Sequence, residues 1–163
     1  MNSKHVLLDG LRVSEMVTNM LLGDMTDADL LVRPVPGANH YAWQLGHLIG
    51  SMHQMANMVQ PGVLPDLPDG FTETYTTETA GNDDATAFLS KDAYLELFAE
   101  QRNGVRKLIN ELDEARMDEA SPESMRELMP TVGDILHLIS IHEIMHAGQL
   151  SVVRRKLGKP VMF

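Results

Sequence analysis

Apolar residues recur along this chain three and four positions apart, the spacing that places side chains on one face of an α-helix. No run of alternating apolar and polar residues is long enough to predict a β-strand. Capping signals support the helix limits, with Asn39 and Ser90 as N-caps and Thr131 with Asp134 as a capping box. The pattern therefore predicts an all-α chain with four long helices, over about residues 3–22, 40–59, 91–112 and 131–157.

Two shorter helical turns are predicted between the long helices. Thr26 with Asp29 forms a capping box that opens the first of them. Ser121, Pro122 and Glu123 supply an N-cap, a first-turn proline and a favourable acid, and they predict the second.

Residues 61–90 form a long connection between the second and third helices, with a composition of its own. The segment contains three prolines, three glycines and six acidic residues, but no lysine or arginine. Connections of this length are uncommon in compact domains and often serve as lids, binding loops or disordered links. Two interpretations stay open: a loop that contacts substrate through Phe71 and Tyr75, or a solvated connection.

Four long amphipathic helices favour a four-helix bundle, with the long connection between its second and third helices. The 163 residues fit one domain, spanning 1–163, that is large enough to bury its own core. The second helix is apolar around most of its circumference, which predicts burial on more than one side. That surface is also compatible with a homodimer.

Composition excludes several classes of function. The net charge of −10 argues against nucleic-acid binding, which needs a basic surface. No apolar run approaches the length of a membrane span, and no signal peptide is visible, so we expect a cytoplasmic protein. The absence of cysteine means that any metal site must use nitrogen and oxygen ligands.

His142 and His146 lie one helical turn apart, at a spacing that lets two imidazoles share one divalent metal ion. The segment has the H-E-x-x-H pattern of metalloproteases, but residues 147–163 contain no His, Asp or Glu to supply a downstream third ligand. A protease of that type is therefore not favoured, and a third protein ligand must come from earlier in the chain. Without a metal, the two histidines would instead bond to backbone, water or a carboxylate.

Glu143 forms a single E-x-x-H pattern with His146, and the chain lacks the second such pattern that a di-iron bundle needs. It is a candidate general base, an orienting residue or an ordinary helix residue. Among earlier histidines, His47 lies within the buried second helix, where a lone histidine is more often a core residue than a ligand. The need for a third metal ligand from earlier in the chain nevertheless favours His47 as that ligand. His53 follows six residues later on another face, so the two are not expected in one site. Three further histidines are assigned to a terminus, a helix cap and the surface: His5, His40 and His137.

Two segments of the sequence resemble the DinB-like superfamily, WQLGHL at residues 43–48 and HEIMHAGQL at residues 142–150. The likeness extends to Arg33-Pro34 and to RRKLGKP at residues 154–160. It implies an up-down-down-up four-helix bundle with a zinc or nickel ion held by one histidine of the second helix and two of the fourth. Carried onto this chain, these ligands are His47, His142 and His146. Some relatives have a glutamate at the position of His142, and relatives often form dimers.

The resemblance implies a function less narrowly than it implies a fold. Characterised members include thiol S-transferases and a mycothiol-dependent isomerase, in which the metal activates a low-molecular-weight thiol. Others are similar to metal-dependent hydrolases, in which the metal activates water. A third interpretation is a non-catalytic, stress-related bundle whose metal is structural or absent. For an enzyme acting on a small molecule, four residues are expected to bind substrate: Gln44, Ser51, Phe71 and Tyr75. For Gln44 and Ser51, packing against a neighbouring helix is an equal alternative.

Overall fold

A computed structural model describes residues 2–162, and the secondary structure within them is helical. Apart from an isolated bridge between Ala120 and Thr131, no residue of this range is in a β-strand. The range also contains no helix long and apolar enough to cross a membrane. The α-helices are α1 Ser3–Leu22, α2 Asp27–Leu30, α3 Tyr41–Val59, α4 Phe71–Thr74, α5 Lys91–Glu111 and α6 Val132–Lys156, and the 3₁₀ helices are Thr77–Thr79, Ala85–Ala87 and Glu114–Asp118. The all-α prediction is confirmed, and the long helices end within one residue of the predicted limits.

Side-chain caps explain why several helices begin where the sequence predicts. Thr26 with Asp29, and Thr131 with Asp134, form the two predicted capping boxes. Ser90 caps α5 through the backbone N–H of Ala93. The prediction for α3 is wrong by one residue, because His40 and not Asn39 is its N-cap.

His40 caps α3 because one of its ring nitrogens takes the place of the usual side-chain oxygen. Its Nδ1 accepts a hydrogen bond from the backbone N–H of Trp43, at 3.1 Å. The carbonyl of Asn39 is used differently, since it accepts from the side chain of Gln44 at 2.8 Å. The histidine that the sequence assigned to a cap therefore has that role.

The prediction of a short helix after Ser121 is wrong, because residues 123–128 form turns. The backbone N–H of Ser121 donates to the carbonyl of Pro130, and the Arg126 guanidinium donates to the carbonyl of Ser121. These bonds close the segment into a loop and use a carbonyl that a helix would need. A 3₁₀ helix lies earlier instead, over Glu114–Asp118.

The long helices pack in pairs, α1 against α5 and α6, and α3 against the same two helices. Their buried apolar side chains form one continuous core. The predicted apolar stripe of α6 is fully buried and comprises Val132, Ile135, Leu136, Ile139, Leu150 and Val153. Helix α3 is buried on nearly every side within this one chain, from Tyr41 to Gly46 and again at Leu48 and Ile49. Its all-round apolar surface is therefore covered without a second copy.

The connection between α3 and α5 packs on the helices. Leu64, Phe71 and Tyr75 are buried, and the side chain of Leu64 lies against Gly104 of α5. The Arg33 guanidinium donates to the carbonyls of Ala80 and Asn82 and bonds the carboxylate of Asp83. These contacts fix the connection beside α3, where it forms one wall of the site.

Candidate metal centre

Three histidines converge where α3 packs against α6. His47 of α3 meets His142 and His146 of α6, and each ring offers a nitrogen within 4.8 Å of the other two. The ring centroids are 5.5 Å apart from His47 to either partner and 5.0 Å apart between His142 and His146. All three side chains are partly buried. The fold thus brings together the three residues that the resemblance implied as ligands.

Burial favours the neutral form of these three imidazoles. Desolvation, followed by the neighbouring His47, lowers the pKa of His142 to about 4. Desolvation, followed by His142 and His47, lowers the pKa of His146 to about 4, and burial also lowers the pKa of His47. A neutral imidazole has a ring nitrogen with a free lone pair, which is the form that binds a metal.

Gln44 determines which nitrogen of His146 is free. Its amide nitrogen donates to the backbone carbonyl of Asn39 at 2.8 Å, and its amide oxygen lies 2.9 Å from Nδ1 of His146. Because a carbonyl can only accept, the amide oxygen must face the ring, and Nδ1 must carry the hydrogen. The neutral ring therefore has its lone pair on Nε2. An orienting bond of this kind commonly supports metal-binding histidines.

Trp43 supports His47 through ring stacking. The two rings are parallel, with centroids 5.2 Å apart and an angle of 5° between their planes. The indole Nε1 donates to Oγ1 of Thr79 in the connection, at 3.4 Å. The orientation of His47 is thereby tied to the packing of the connection on α3.

The donor set fits a zinc or nickel ion. Imidazole nitrogens bind zinc at about 2.0–2.1 Å, so ligands of one ion lie roughly 3–4 Å apart. The ring nitrogens of this cluster, within 4.8 Å of one another, are close to that spacing. Imidazole is a good ligand for both metals. Three protein ligands also leave at least one coordination position open, as in catalytic sites. The cluster is therefore suited to a metal that performs chemistry.

Glu143 lies between the two α6 histidines in sequence but faces the core. It is 1% exposed, and its two oxygens accept from Nε and Nη2 of Arg102 at 3.0 and 2.6 Å. Arg102 of α5 is also 1% exposed and stacks over Phe98 at 4.0 Å. Sequence reasoning missed Arg102. The available signal was a charged residue beside the apolar stripe of α5, which requires a buried partner.

A cavity of about 770 Å³ lies between α3 and the connection. His47 belongs to its wall, so the cavity meets the histidine cluster. Two predicted substrate-binding residues, Ser51 and Tyr75, also line it. Phe71 lines an adjoining recess that shares His53 and Asp66 with the cavity. Gln44 is not among the described residues of the wall, and its buried side chain bonds His146 instead.

Tyr75 closes the cavity against α3. Its ring lies on Gly46, so close that a Cβ at that position would come within 2.2 Å of the ring. Its hydroxyl bonds that of Tyr94 at 2.7 Å, and burial raises the pKa of Tyr75. Tyr75 is therefore fixed both to α3 and to α5, directly beside His47.

His53 occupies a place that the sequence did not predict. The expectation was that His47 and His53 do not share a site, and His53 is indeed outside the histidine cluster. Both nevertheless line the same cavity, because that cavity extends along α3. The side chain of His53 bonds Gln101 of α5 through Nδ1, at 3.1 Å.

Comparisons with known proteins agree with this architecture. A sequence model of the DinB superfamily matches residues 11–150. A crystal structure described as that of a conserved protein of locus from Enterococcus faecalis is similar in fold, with a TM-score of 0.71. It is 15% identical in sequence, and the match covers 98% of this chain and 99% of that one. No functionally curated protein matches the chain.

Proposed function

This chain belongs to the DinB superfamily, and we propose that it is a metal-dependent enzyme that activates a low-molecular-weight thiol for transfer to an electrophile. The observation that carries the proposal is the position of His47. It belongs both to the cluster of three imidazoles and to the wall of a cavity of about 770 Å³, large enough for a small-molecule substrate. A structural metal site has no need of such a cavity.

The proposed fold is an up-down-down-up four-helix bundle, formed by α1, α3, α5 and α6 as one domain over residues 1–163. The pairwise packing of these helices around one core supports it. The similarity in fold to the Enterococcus faecalis protein covers 98% of this chain and 99% of that one, which supports a single domain.

In the proposed site, His47, His142 and His146 hold a zinc or nickel ion. Such an ion, when bound, supplies positive charge that lowers the pKa of a thiol or a water molecule at its open position. The residues around it position the ligands. Gln44 keeps the hydrogen of His146 on Nδ1, and Trp43 holds the plane of the His47 ring.

The remaining predicted residues divide by position. Ser51 and Tyr75 are proposed to contact substrate in the cavity, with Phe71 supporting the adjoining recess. Gln44 is better assigned to orienting His146. The contacts of Glu143 support a positioning role, because Arg102 donates to both of its oxygens and so links α6 to α5 across the core. A thiol nucleophile must come from outside the chain, which has no cysteine.

The first experiment measures bound metal in the protein purified without a His tag, by elemental mass spectrometry. We expect about one zinc or nickel ion per chain, lost in the His142→Ala/His146→Ala variant. His137→Ala is the matched control, because His137 lies on the same helix and is exposed. In the same series, Gln44→Leu should weaken metal affinity roughly 10- to 100-fold in chelator competition. If the wild-type protein binds no metal, even after zinc or nickel is added, the proposal is excluded.

The second experiment separates the thiol transferase from its alternatives. With an added thiol and a panel of electrophiles, wild type should turn over and His47→Ala should not, although it keeps its fold. Turnover of esters or amides without thiol would indicate the hydrolase. Unfolding of both the metal-free wild type and His47→Ala would indicate a structural metal. General proteolysis abolished by Glu143→Gln would indicate a protease.

Two further predictions concern the cellular location and the oligomeric state of the protein, which we expect to be a cytoplasmic homodimer. With α3 covered inside the chain, a dimer surface would have to lie elsewhere. The exposed apolar residues of α6 are a candidate, and they are Ile144, Met145 and Val152.

A further inference from the structure

His53 and Gln101 form an orienting pair at the cavity, away from the three clustered histidines. Gln101 is 0% exposed, and its amide nitrogen donates to the backbone carbonyl of Pro65 at 2.9 Å. Its amide oxygen lies 3.1 Å from Nδ1 of His53. One buried side chain thus connects the start of the connection to a histidine of α3.

This arrangement determines the tautomer of His53. The carbonyl of Pro65 can only accept, so the amide nitrogen of Gln101 must face it and the amide oxygen must face the ring. Nδ1 of His53 therefore carries a hydrogen, and the nitrogen left to the cavity is Nε2. In the neutral ring this Nε2 is an acceptor. Gln44 orients His146 in the same way. A buried glutamine therefore sets the tautomer of one histidine in the cluster and of one histidine outside it.

The negative charge around His53 also favours a ligand group that donates hydrogen bonds over one that is anionic. Asp66 lines the cavity together with His53, and both also line the adjoining recess. No lysine or arginine is among the described residues of either wall. Asp66 is the acidic residue that the connection contributes to the described wall of the cavity, and Asp69 and Glu73 line the recess beside it. A carboxylate at this end would meet negative charge and find no fixed cation.

We infer that the His53 end of the cavity binds the hydrogen-bond-donating end of the substrate, an ammonium or hydroxyl group, whose reacting end lies at His47. This inference rests on the proposed function, and it names the class of thiol that the site takes. His53 lies six positions after His47, which corresponds to about 9 Å along the helix axis. The substrate is thus a thiol of roughly that length with a cationic or hydroxyl terminus. His53 acts as a binding and specificity residue.

Three thiols with six-carbon chains test the inference, because they differ only at the far end. They are 6-aminohexane-1-thiol, 6-mercaptohexan-1-ol and 6-mercaptohexanoate. Nickel-loaded protein is titrated with each, and the thiolate-to-nickel charge-transfer absorption reports binding. We expect the amine to bind about tenfold more tightly than the acid, as one hydrogen bond to a charged group allows, with the alcohol between them.

Matched variants identify the residues responsible for this preference. His53→Ala and Asp66→Asn should each reduce the amine-to-acid ratio several-fold. His5→Ala, an exposed histidine, and Asp69→Asn, which lines only the recess, should leave the ratio unchanged. Tighter binding of the acid than of the amine would overturn the inference, as would an unchanged ratio in His53→Ala.

A metal-free measurement separates this inference from the proposed function. Long-range ¹H–¹⁵N spectra of the histidine rings should show the hydrogen of His53 on Nδ1, with the signals assigned by their loss in His53→Ala. Hexan-1-amine should shift those signals, and hexanoate should not. If nickel fails to bind, the proposed enzyme and the thiol assignment fall together, and these spectra still decide whether the His53 end of the cavity binds a hydrogen-bond donor. A hydrogen on Nε2 in the neutral ring, or a shift with hexanoate alone, would overturn it.

Discussion

Hydrogen-bond partners fix the orientation of individual polar side chains in this protein. Gln44 and Gln101 each donate to a backbone carbonyl, and each thereby presents an oxygen to a histidine. Gly46 acts in a different way, since the lack of a side chain lets the Tyr75 ring lie on α3 beside His47. The shape of the site therefore depends on the absence of a side chain at position 46.

Gly46→Ala is expected to displace Tyr75 and to destabilise the fold by about 1–3 kcal/mol, as overpacking a core typically does. The added Cβ would lie 2.2–2.3 Å from three atoms of the Tyr75 ring. Urea unfolding measures the loss. Gly50→Ala is the matched control on the same helix, where a Cβ meets nothing within 4 Å. That variant should be as stable as wild type or up to about 1 kcal/mol more stable, because alanine favours a helix over glycine. Equal effects of the two substitutions would contradict the role of Gly46.

At the scale of secondary structure elements, α5 and α6 are joined by one buried ion pair. Arg102 and Glu143 are each 1% exposed and form two hydrogen bonds. Glu15 of α1 lies 3.8 Å from the same guanidinium, so the pair also faces a third helix. Buried pairs of this kind specify how helices meet, although they add little net stability over an apolar pair.

Replacing Glu143 with Ala should destabilise the protein by about 3–5 kcal/mol, because Arg102 would remain buried without its main partner. The double substitution Arg102→Met/Glu143→Leu should recover much of that loss. Chemical unfolding of all three proteins measures both effects. As a control, Arg12→Ala breaks an ion pair with Asp9 whose side chains are 60% and 52% exposed, and it should change stability by less than about 1 kcal/mol. A Glu143→Ala variant as stable as wild type would contradict the structural role of the pair.

For the whole molecule, the position of the histidine cluster couples folding to pH. His142 and His146 have a pKa of about 4 in the folded protein, compared with the ordinary value of 6.5. Between these values the unfolded chain binds more protons than the folded one. Stability must therefore fall as the pH falls through that window, and these two groups add no pH dependence above it.

Metal-free protein is accordingly expected to lose stability between pH 6.5 and pH 4. The urea midpoint, measured in chelator at several pH values, should fall less steeply for His142→Ala/His146→Ala than for wild type. His137→Ala should follow wild type. Five carboxyls also have lowered pKa values, those of Asp24, Asp29, Glu78, Asp84 and Asp134. Their ordinary values, 3.8 for the aspartates and 4.5 for Glu78, place their effect mainly below this window. If the urea midpoint falls equally with pH in wild type and in the double variant, the lowered pKa values of His142 and His146 are contradicted.

Much of the secondary structure could be predicted because its causes are local. The apolar spacing and the capping boxes at Thr26 and Thr131 depend on residues within one or two turns, and they fixed the helix limits to within one residue. The two errors come from individual hydrogen bonds that helical periodicity does not specify. His40 and not Asn39 is the cap, because a ring nitrogen of His40 accepts from the N–H of Trp43. Ser121 bonds Pro130 and Arg126 in place of starting a helix.

By itself, the sequence determined that the chain is helical, that His142 and His146 share a helix face, and that no cysteine takes part. Only the tertiary structure decided which groups meet these residues. His47 is 95 positions before His142, and Gln44 is 102 before His146, so their contacts depend on how α3 packs against α6. The same holds for Glu143 with Arg102, and for His53 with Gln101. The physical reason is that a helix repeats every 3.6 residues and so specifies a face, whereas the partner of that face is chosen by core packing.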